Sequence, residues 1–574
     1  MSAQTSAAAM THAWLLRLRA SGSRAAAAVE SWPVPAVLGG LVAVEWACVL
    51  ALARTVRHAG WIYYQGGDQL WYYTLGWLLG HGQLTQTPVG YGLSAFLAPL
   101  ARIAGPNLLS ALPAIVLVNV LILLPVAMFA LYGIAARIGG RLFGYWTLAL
   151  WIAVPFIGIP YTSVGYHQRY TELVLPQSFG LTALADFPTM VTALVSLYFC
   201  ARVVFTERPI ALDAVAAGVA AGVAIAIKPS TALFLVGPAL AFAYRRRFSS
   251  LALFVAGITP AAIALAVWKE RGLGRLPILN GSAPISHGGG LASGVPLLNL
   301  NLGKYLHLNW SHFGNNVDLL REHFWSGRVL QWLVIAGIVG LARGSRTAFL
   351  LIGAPIAAFV IVKGSYVSAS VEDASVFRIM MPAFPLFIIL LACLPLLFPH
   401  AVQRLRPWRA AFPDASLRLR RWAVLGAVLL TAVVPFAAMA AANTHTGGAD
   451  AAAVAGNFMP VPANVDLGLS AQVSGRTVDL HWRAPRSIGG PAFYRVWRGP
   501  AATPGAGFTC NPSAGARSCV TGLPEIGVAR DGRYADHPGK GEWVYRVALA
   551  ANWLDDPQYG DAYLVSAAVR VSVP

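Results

Sequence analysis

Three residues of this 574-residue chain stand at the edges of long apolar runs, where ionisable side chains are costly, and their types suit one kind of chemistry. Asp68 lies in "WIYYQGGDQLWYYTLGWLL", a few residues past the first apolar run. A carboxylate held there can take a proton from an acceptor hydroxyl while a lipid-borne donor is presented from the bilayer. It can equally be the N-cap of a helix beginning at "QLWYYTLGWLL". Lys228 lies between two apolar segments, and Arg378 opens another. A lipid phosphate is a dianion at the membrane surface, and such cations can hold it and stabilise charge on a leaving group. The alternative for both is that they snorkel to the interface as anchors.

The elements that must position these residues are membrane spans. The chain is 57% hydrophobic and 11% charged, with a mean hydropathy of +0.60. A soluble domain has roughly 25% charged residues, so that class is excluded. The net charge of +19 is spread in short basic clusters between apolar runs. That is the positive-inside pattern of a membrane protein and not the single patch of a nucleic-acid binder. No low-complexity tract, internal repeat or glycine-rich phosphate loop is visible.

Apolar stretches recur near residues 34–53, 108–135, 143–160, 185–204, 211–227, 231–244, 250–268, 329–342, 347–363, 379–397 and 422–442, which predicts about eleven spans. The first follows Arg17, Arg19 and Arg24 and reads as an uncleaved signal anchor, although Ala51-Leu52-Ala53 imitates a cleavage site. A cytoplasmic N-terminal segment, residues 1–33, then places every short basic loop on the cytoplasmic side. These loops include Arg137 with Arg141, Arg202 with Arg208, Arg245 to Arg247, and Arg343 with Arg346. The long segments 54–107, 161–184, 269–328 and 364–378 fall outside, as does everything after about residue 443. Alanine-rich, arginine-over-lysine usage suggests a bacterial plasma membrane.

After a linker over 443–460, the tail from 461 to 574 changes character. "VDLGLSAQVSGRTVDLHWRAP", "AFYRVWRGP", "EWVYRVALAAN" and "YLVSAAVRVSVP" alternate apolar and polar residues between Gly and Pro turns. This predicts an all-β sandwich, and the segment resembles a fibronectin type III domain. Cys510 and Cys519 lie together in it and can close a disulfide in an oxidising compartment, or remain free thiols. Trp482, Trp497 and Trp543 can stack on sugar rings or fill the sandwich core.

The motif order adds a further reading. Asp68 in the first outer loop, "ADFPTMVTALVSLYF", "AAGVAAGVAIAIKPSTALFLVGPAL" and "FRIMMPAFPLFIILL" occur in sequence. Residues 34 to about 442 resemble the GT-C superfamily of polyprenyl-phosphate-sugar-dependent glycosyltransferases, which includes protein mannosyltransferases and aminoarabinose transferases. The resemblance implies that Asp68 is the acidic residue of the first outer loop, acting as general base or activating the acceptor. The paired acidic form seen in many members is absent, because Gly67 and Gln69 flank Asp68. It implies that Asp186 is the acidic residue at the outer mouth of the fourth span, for acceptor binding or catalysis, with a helix N-cap as the alternative. "FRIMMPAFP" matches the family's Arg and paired-Pro pattern, favouring phosphate binding at Arg378.

Other polar residues say less. His167, Arg169 and Glu172 in the second outer loop can contact sugar or acceptor, or be solvated loop polarity. His307, His312, His323 and Asp318 could suggest a divalent metal site, although their spacing fits no strong ligand pattern. Glu372 and Asp373 are expected as ion-pair partners near Arg378. Glu45 is an intramembrane acid, for which a helix–helix hydrogen bond is the simpler reading.

The resulting expectation is a membrane glycosyltransferase with a polyprenyl-phosphate-linked sugar as donor. The acceptor is a hydroxyl on a glycan, lipid or protein of the cell envelope. The alternatives are a transporter or flippase for a lipid-linked saccharide, with Glu45 as coupling residue, and an inactive scaffold recruiting a cell-wall partner.

Overall fold

The computed structural model describes residues 32–55, 68–80, 90–104, 108–159, 175–270, 308–321, 328–365, 375–397, 417–443, 467–483, 492–501, 523–551 and 561–574. Up to Asn443 the described regular elements are all helical, and from Ser470 onward they are all strands. Among the described residues, five helical stretches are long and apolar enough to cross a membrane: Val34–Ala53, Ala111–Gly139, Asp186–Phe205, Phe248–Ala266 and Arg346–Gly364. The remaining apolar runs fall on shorter apolar helices, Arg141–Ile157, Ala211–Ile227, Pro229–Tyr244, Trp332–Gly344, Phe377–Ala392 and Gly426–Ala440. The Gly92–Ala104 helix in the first long loop is also apolar.

Helices suit this sequence because each satisfies its backbone hydrogen bonds within one segment, as hydrocarbon requires. Their outward faces carry Leu121, Ile122, Phe129, Val219, Ile263 and Val433, all exposed. Small residues bring the inward faces together. In the Ala211–Ile227 helix, Gly218 and Gly222 form a four-residue small-residue spacing against the Phe248–Glu270 helix. A Cβ on Gly218 would run into the carbonyl oxygen of Phe254, and one on Gly257 would lie 2.6 Å from that of Val215. A hydrogen bond of 2.8 Å from Ser196 Oγ to the Ala217 carbonyl ties the same helix to Asp186–Phe205.

The helical run Leu108–Gly139 is irregular at one place, where it passes through a π turn at Asn119–Leu123. The wider turn leaves backbone carbonyls and side chains turned outward, and both are used. Trp46 Nε1 donates to the Val120 carbonyl at 2.9 Å, and Asn119 Nδ2 donates to the Thr182 carbonyl at 2.9 Å.

Eight strands are described in the C-terminal region: β1 (Ser470–Ser474), β2 (Thr477–His481), β3 (Ala492–Pro500), β4 (Glu525–Ala529), β5 (Arg533–Asp536), β6 (Gly541–Ala551), β7 (Asp561–Val565) and β8 (Val569–Val573). They form two antiparallel sheets, β1-β2-β5 and β4-β3-β6-β7, with β8 also on β6. Val478 and Leu480 of the first sheet and Tyr494, Val496, Tyr545 and Val547 of the second are buried in a shared core. The Trp482 and Tyr494 rings lie 5.3 Å apart within it.

Candidate functional site

Asp186 is the first residue of the Asp186–Phe205 helix and is fully buried. The helix cap is Ala185. The carboxylate of Asp186 turns to two cations instead: Lys228 Nζ donates to Oδ1, and Arg378 Nη2 lies 3.6 Å from Oδ2. Three separated stretches of chain thus converge on one point.

Local sequence explains each position. Lys228 ends the Ala211–Ile227 helix in an extended conformation, with its N–H still donating to the Ala224 carbonyl at 2.8 Å. Pro229 follows, and a proline disfavours helical geometry in the residue before it, so the chain turns there into the 3₁₀ segment Pro229–Leu235. Arg378 sits in the short helix Ser375–Met380, which the Pro382 turn ends. Asp186 benefits from the positive end of its helix dipole as well as from the two cations.

A buried carboxylate costs several kcal/mol unless paired, which makes the two cations a structural requirement. Both keep part of their surface: the side chains of Lys228 and Arg378 are 19% and 23% exposed, while that of Asp186 is 0%. The pairing therefore orients the cations and leaves each an open side. This differs from snorkelling, in which an extended cation finds only water and headgroups. A further cation escaped the sequence reading. Lys363, at the end of the Arg346–Gly364 helix, lies within electrostatic reach of Lys228. One turn earlier, Phe359 packs 4.9 Å from Phe234 of the 3₁₀ segment after Lys228. A single lysine closing an apolar run gave no motif to find it by.

Described parts of the segment between the Val34–Thr55 and Leu108–Val118 helices border this cluster on two sides. Asp68 is the first residue of the Asp68–Gly80 helix, and its side chain lies outside what the structure describes. Its neighbour Gln69 is fully buried, and Gln69 Oε1 accepts from the Ala183 N–H at 2.9 Å, three residues before Asp186. At the far end of the loop, Gly90 packs so closely that a Cβ would clash with the carbonyl oxygens of Ala226 and Ile227. A Cβ on Gly92 would lie 2.6 Å from the Ile227 nitrogen. One side of the loop therefore touches the turn into Asp186, and the other the residues before Lys228.

Glu45 is fully buried, and its Oε1 accepts from Trp151 Nε1 at 3.0 Å and from Gln177 Nε2 at 2.9 Å. This is the helix–helix hydrogen bonding expected of it. His167, Arg169, Glu172, His307, His323, Glu372, Asp373, Cys510 and Cys519 lie outside the described residues. His312 and Asp318 share the Trp310–Leu319 helix, where Asp318 pairs with Arg321 at 3.2 Å. Among the described residues no group of three or more His, Cys, Asp or Glu could hold a metal ion.

In the β-region, Trp482 and Trp497 are 7% and 1% exposed. They are core residues and present no sugar-stacking face. Trp543 is covered by the Arg498 guanidinium, 4.7 Å from its ring centre. Arg498 also pairs with Asp536 at 2.7 Å, and Tyr545 donates to the same carboxylate at 2.6 Å.

No protein-family model matches the chain, and no curated protein matches it. Among solved structures, the chain is similar to ArnT from Cupriavidus metallidurans in the apo state, at 13% identity and a TM-score of 0.42 over 70% of this chain and 75% of that one. It is similar to the same protein bound to undecaprenyl phosphate, at 13% identity and a TM-score of 0.40 over the same shares, 70% and 75%. A third likeness is to the apo oligosaccharyltransferase of Archaeoglobus fulgidus, at 13% identity and a TM-score of 0.37 over 71% of this chain and 56% of that one.

Proposed function

We propose that this chain is a membrane glycosyltransferase that moves a sugar from a polyprenyl-phosphate-linked donor to an acceptor hydroxyl of the cell envelope, on the extracytoplasmic face. The observation that carries the reading is the convergence of Lys228 and Arg378 on the buried Asp186, beside the segment that begins with Asp68. Asp68 takes the proton of the acceptor hydroxyl, and that oxygen forms a bond to the anomeric carbon. The bond from that carbon to the phosphate oxygen breaks, and the polyprenyl phosphate leaves with the electron pair. A phosphodiester monoanion thereby becomes a dianion, and fixed cations stabilise the second charge most as it develops. Asp186 holds Lys228 and Arg378 in place for this step. His167, Arg169 and Glu172 contribute sugar or acceptor contacts from the second outer loop.

The same reading sets the topology. Residues 1–33 are cytoplasmic, about eleven spans lie between 34 and 442 in the plasma membrane, and residues 461–574 form an extracytoplasmic fibronectin type III-like domain. The two-sheet arrangement of the tail supports this assignment of the domain, and Cys510 and Cys519 are its disulfide. The hydrogen bonds of Glu45 to Trp151 and Gln177 favour a structural role over the coupling role a transporter would need.

The test is transfer by the full-length chain in lipid nanodiscs, using polyprenyl-phosphate-linked pentoses and hexoses with envelope glycan as acceptor. Release of polyprenyl phosphate in step with glycosylated acceptor supports the reading. Movement of a labelled lipid-linked sugar across vesicles without product sinks it in favour of a flippase.

A further inference from the structure

Residues 180–185 lead into Asp186 without helix or strand, and all six are buried. Buried backbone N–H and C=O groups must find partners, and here local turns and side chains together supply them. Leu181 and Thr182 donate back to Ser178 and Phe179, and Leu184 donates to the hydroxyl of Thr182 at 3.1 Å. Two bonds tie the segment to other described parts of the chain. Asn119, at the π turn, donates to the Thr182 carbonyl, and Gln69 accepts from the next peptide, Ala183, each at 2.9 Å. Asp186 follows Ala183 by three residues, at most about 10 Å of extended chain.

We propose that Gln69 is a positioning residue that fixes the separation of Asp68 from Asp186. This rests on the reading of those two acids as parts of one glycosyl-transfer site. Gln69 stands immediately after Asp68 in the sequence. Its fully buried side chain is directed at the backbone of the turn before Asp186. The position is therefore one of support. The bond transmits its effect through geometry: without it the Asp68–Gly80 helix and the turn at Ala183 can separate, and the proton acceptor loses its alignment with the phosphate site. A misplacement of about 1 Å in such a site costs about 10²-fold in rate.

The test uses the full chain in nanodiscs, with Gln69→Leu, Gln69→Glu and Asp68→Asn. Gln69→Leu removes the acceptor oxygen at similar size, and Gln69→Glu restores an acceptor. In hydrogen exchange, the peptide covering residues 180–190 exchanges faster in Gln69→Leu than in the parent and Gln69→Glu returns it toward the parent. In turnover, Gln69→Leu lowers kcat by about 10²-fold with donor KM within about twofold. Its effect shrinks to near nothing in the Asp68→Asn background, because residues acting as one unit are not additive. Unchanged exchange in Gln69→Leu overturns the proposal, as does faster exchange with unaltered kcat, or a full additive loss on top of Asp68→Asn. If Asp68→Asn alone keeps the parental rate, the site reading falls and the proposal falls with it.

Discussion

Lys228 and Asp186, 42 residues apart in sequence, meet through a hydrogen bond from Nζ to Oδ1 that joins the end of one apolar helix to the start of another. The pair holds a cation at a fixed place beside the turn that Gln69 grips, with Arg378 closing the other carboxylate oxygen.

Lys228→Met leaves Asp186 buried with Arg378 as its remaining ion-pair partner among the described residues. Leaving a buried charge with no partner costs about 3–5 kcal/mol, and with Arg378 in place the cost falls below that. Thermal unfolding in nanodiscs should show reduced stability, and binding of a polyprenyl monophosphate should weaken. Lys228→Arg should recover more of the binding than of the packing, since the charge remains while the shape changes.

Asp186→Asn keeps the size of the side chain and removes its charge. Lys228 and Arg378 then lose the group that orients them and repel one another. The expected outcome is a kcat lower by about 10-fold to 10²-fold, with the bound lipid phosphate retained. A binding titration with polyprenyl monophosphate alongside turnover separates the two effects.

Gly218→Val drives a side chain into the Phe254 carbonyl at the contact between the Ala211–Ile227 and Phe248–Glu270 helices. Overpacking of this kind costs about 1–3 kcal/mol. A lower unfolding temperature checks it, and Val219→Ala, at an exposed position on the same helix, should be nearly silent.

Trp482→Ala empties part of the β-sandwich core beside Tyr494 and should cost the tail about 3–5 kcal/mol. Saccharide binding by the full chain should not depend on the Trp482 or Trp497 rings, which are buried. Glycan-array binding to variants at the two positions that remain folded checks this.

The tail should also loosen in alkali. Burial, before any other cause, holds the Tyr545 phenol above the ordinary tyrosine range, with its bond to the Asp536 carboxylate acting in the same direction. A group whose folded value is raised contributes stability that is complete below the unfolded value, about pH 10, and lost as pH rises above it. Tyr545→Phe should remove part of that alkaline loss, read from strand circular dichroism across the titration.

The sequence made the helices legible because the apolar runs are continuous and several are closed by arginines, as at Arg202 and Arg245. Three ionisable residues were legible for the same reason: Asp186, Lys228 and Arg378 stand out against their apolar neighbours. Their mutual contact was not, because a 42-residue separation carries no local periodicity. Gln69 and Asn119 were invisible as supports, since a buried amide grips backbone and backbone has no sequence signature. The two readings of Trp482 could be told apart only by its packing on Tyr494.

The most direct measurement is a cryo-EM structure of the full chain in nanodiscs with added undecaprenyl phosphate. The account predicts phosphate density against Lys228 and Arg378, on the side away from Asp186 and next to the Asp68–Gly80 helix. Phosphate bound in a cytoplasm-facing cavity, with Lys228 and Arg378 unoccupied, would contradict it.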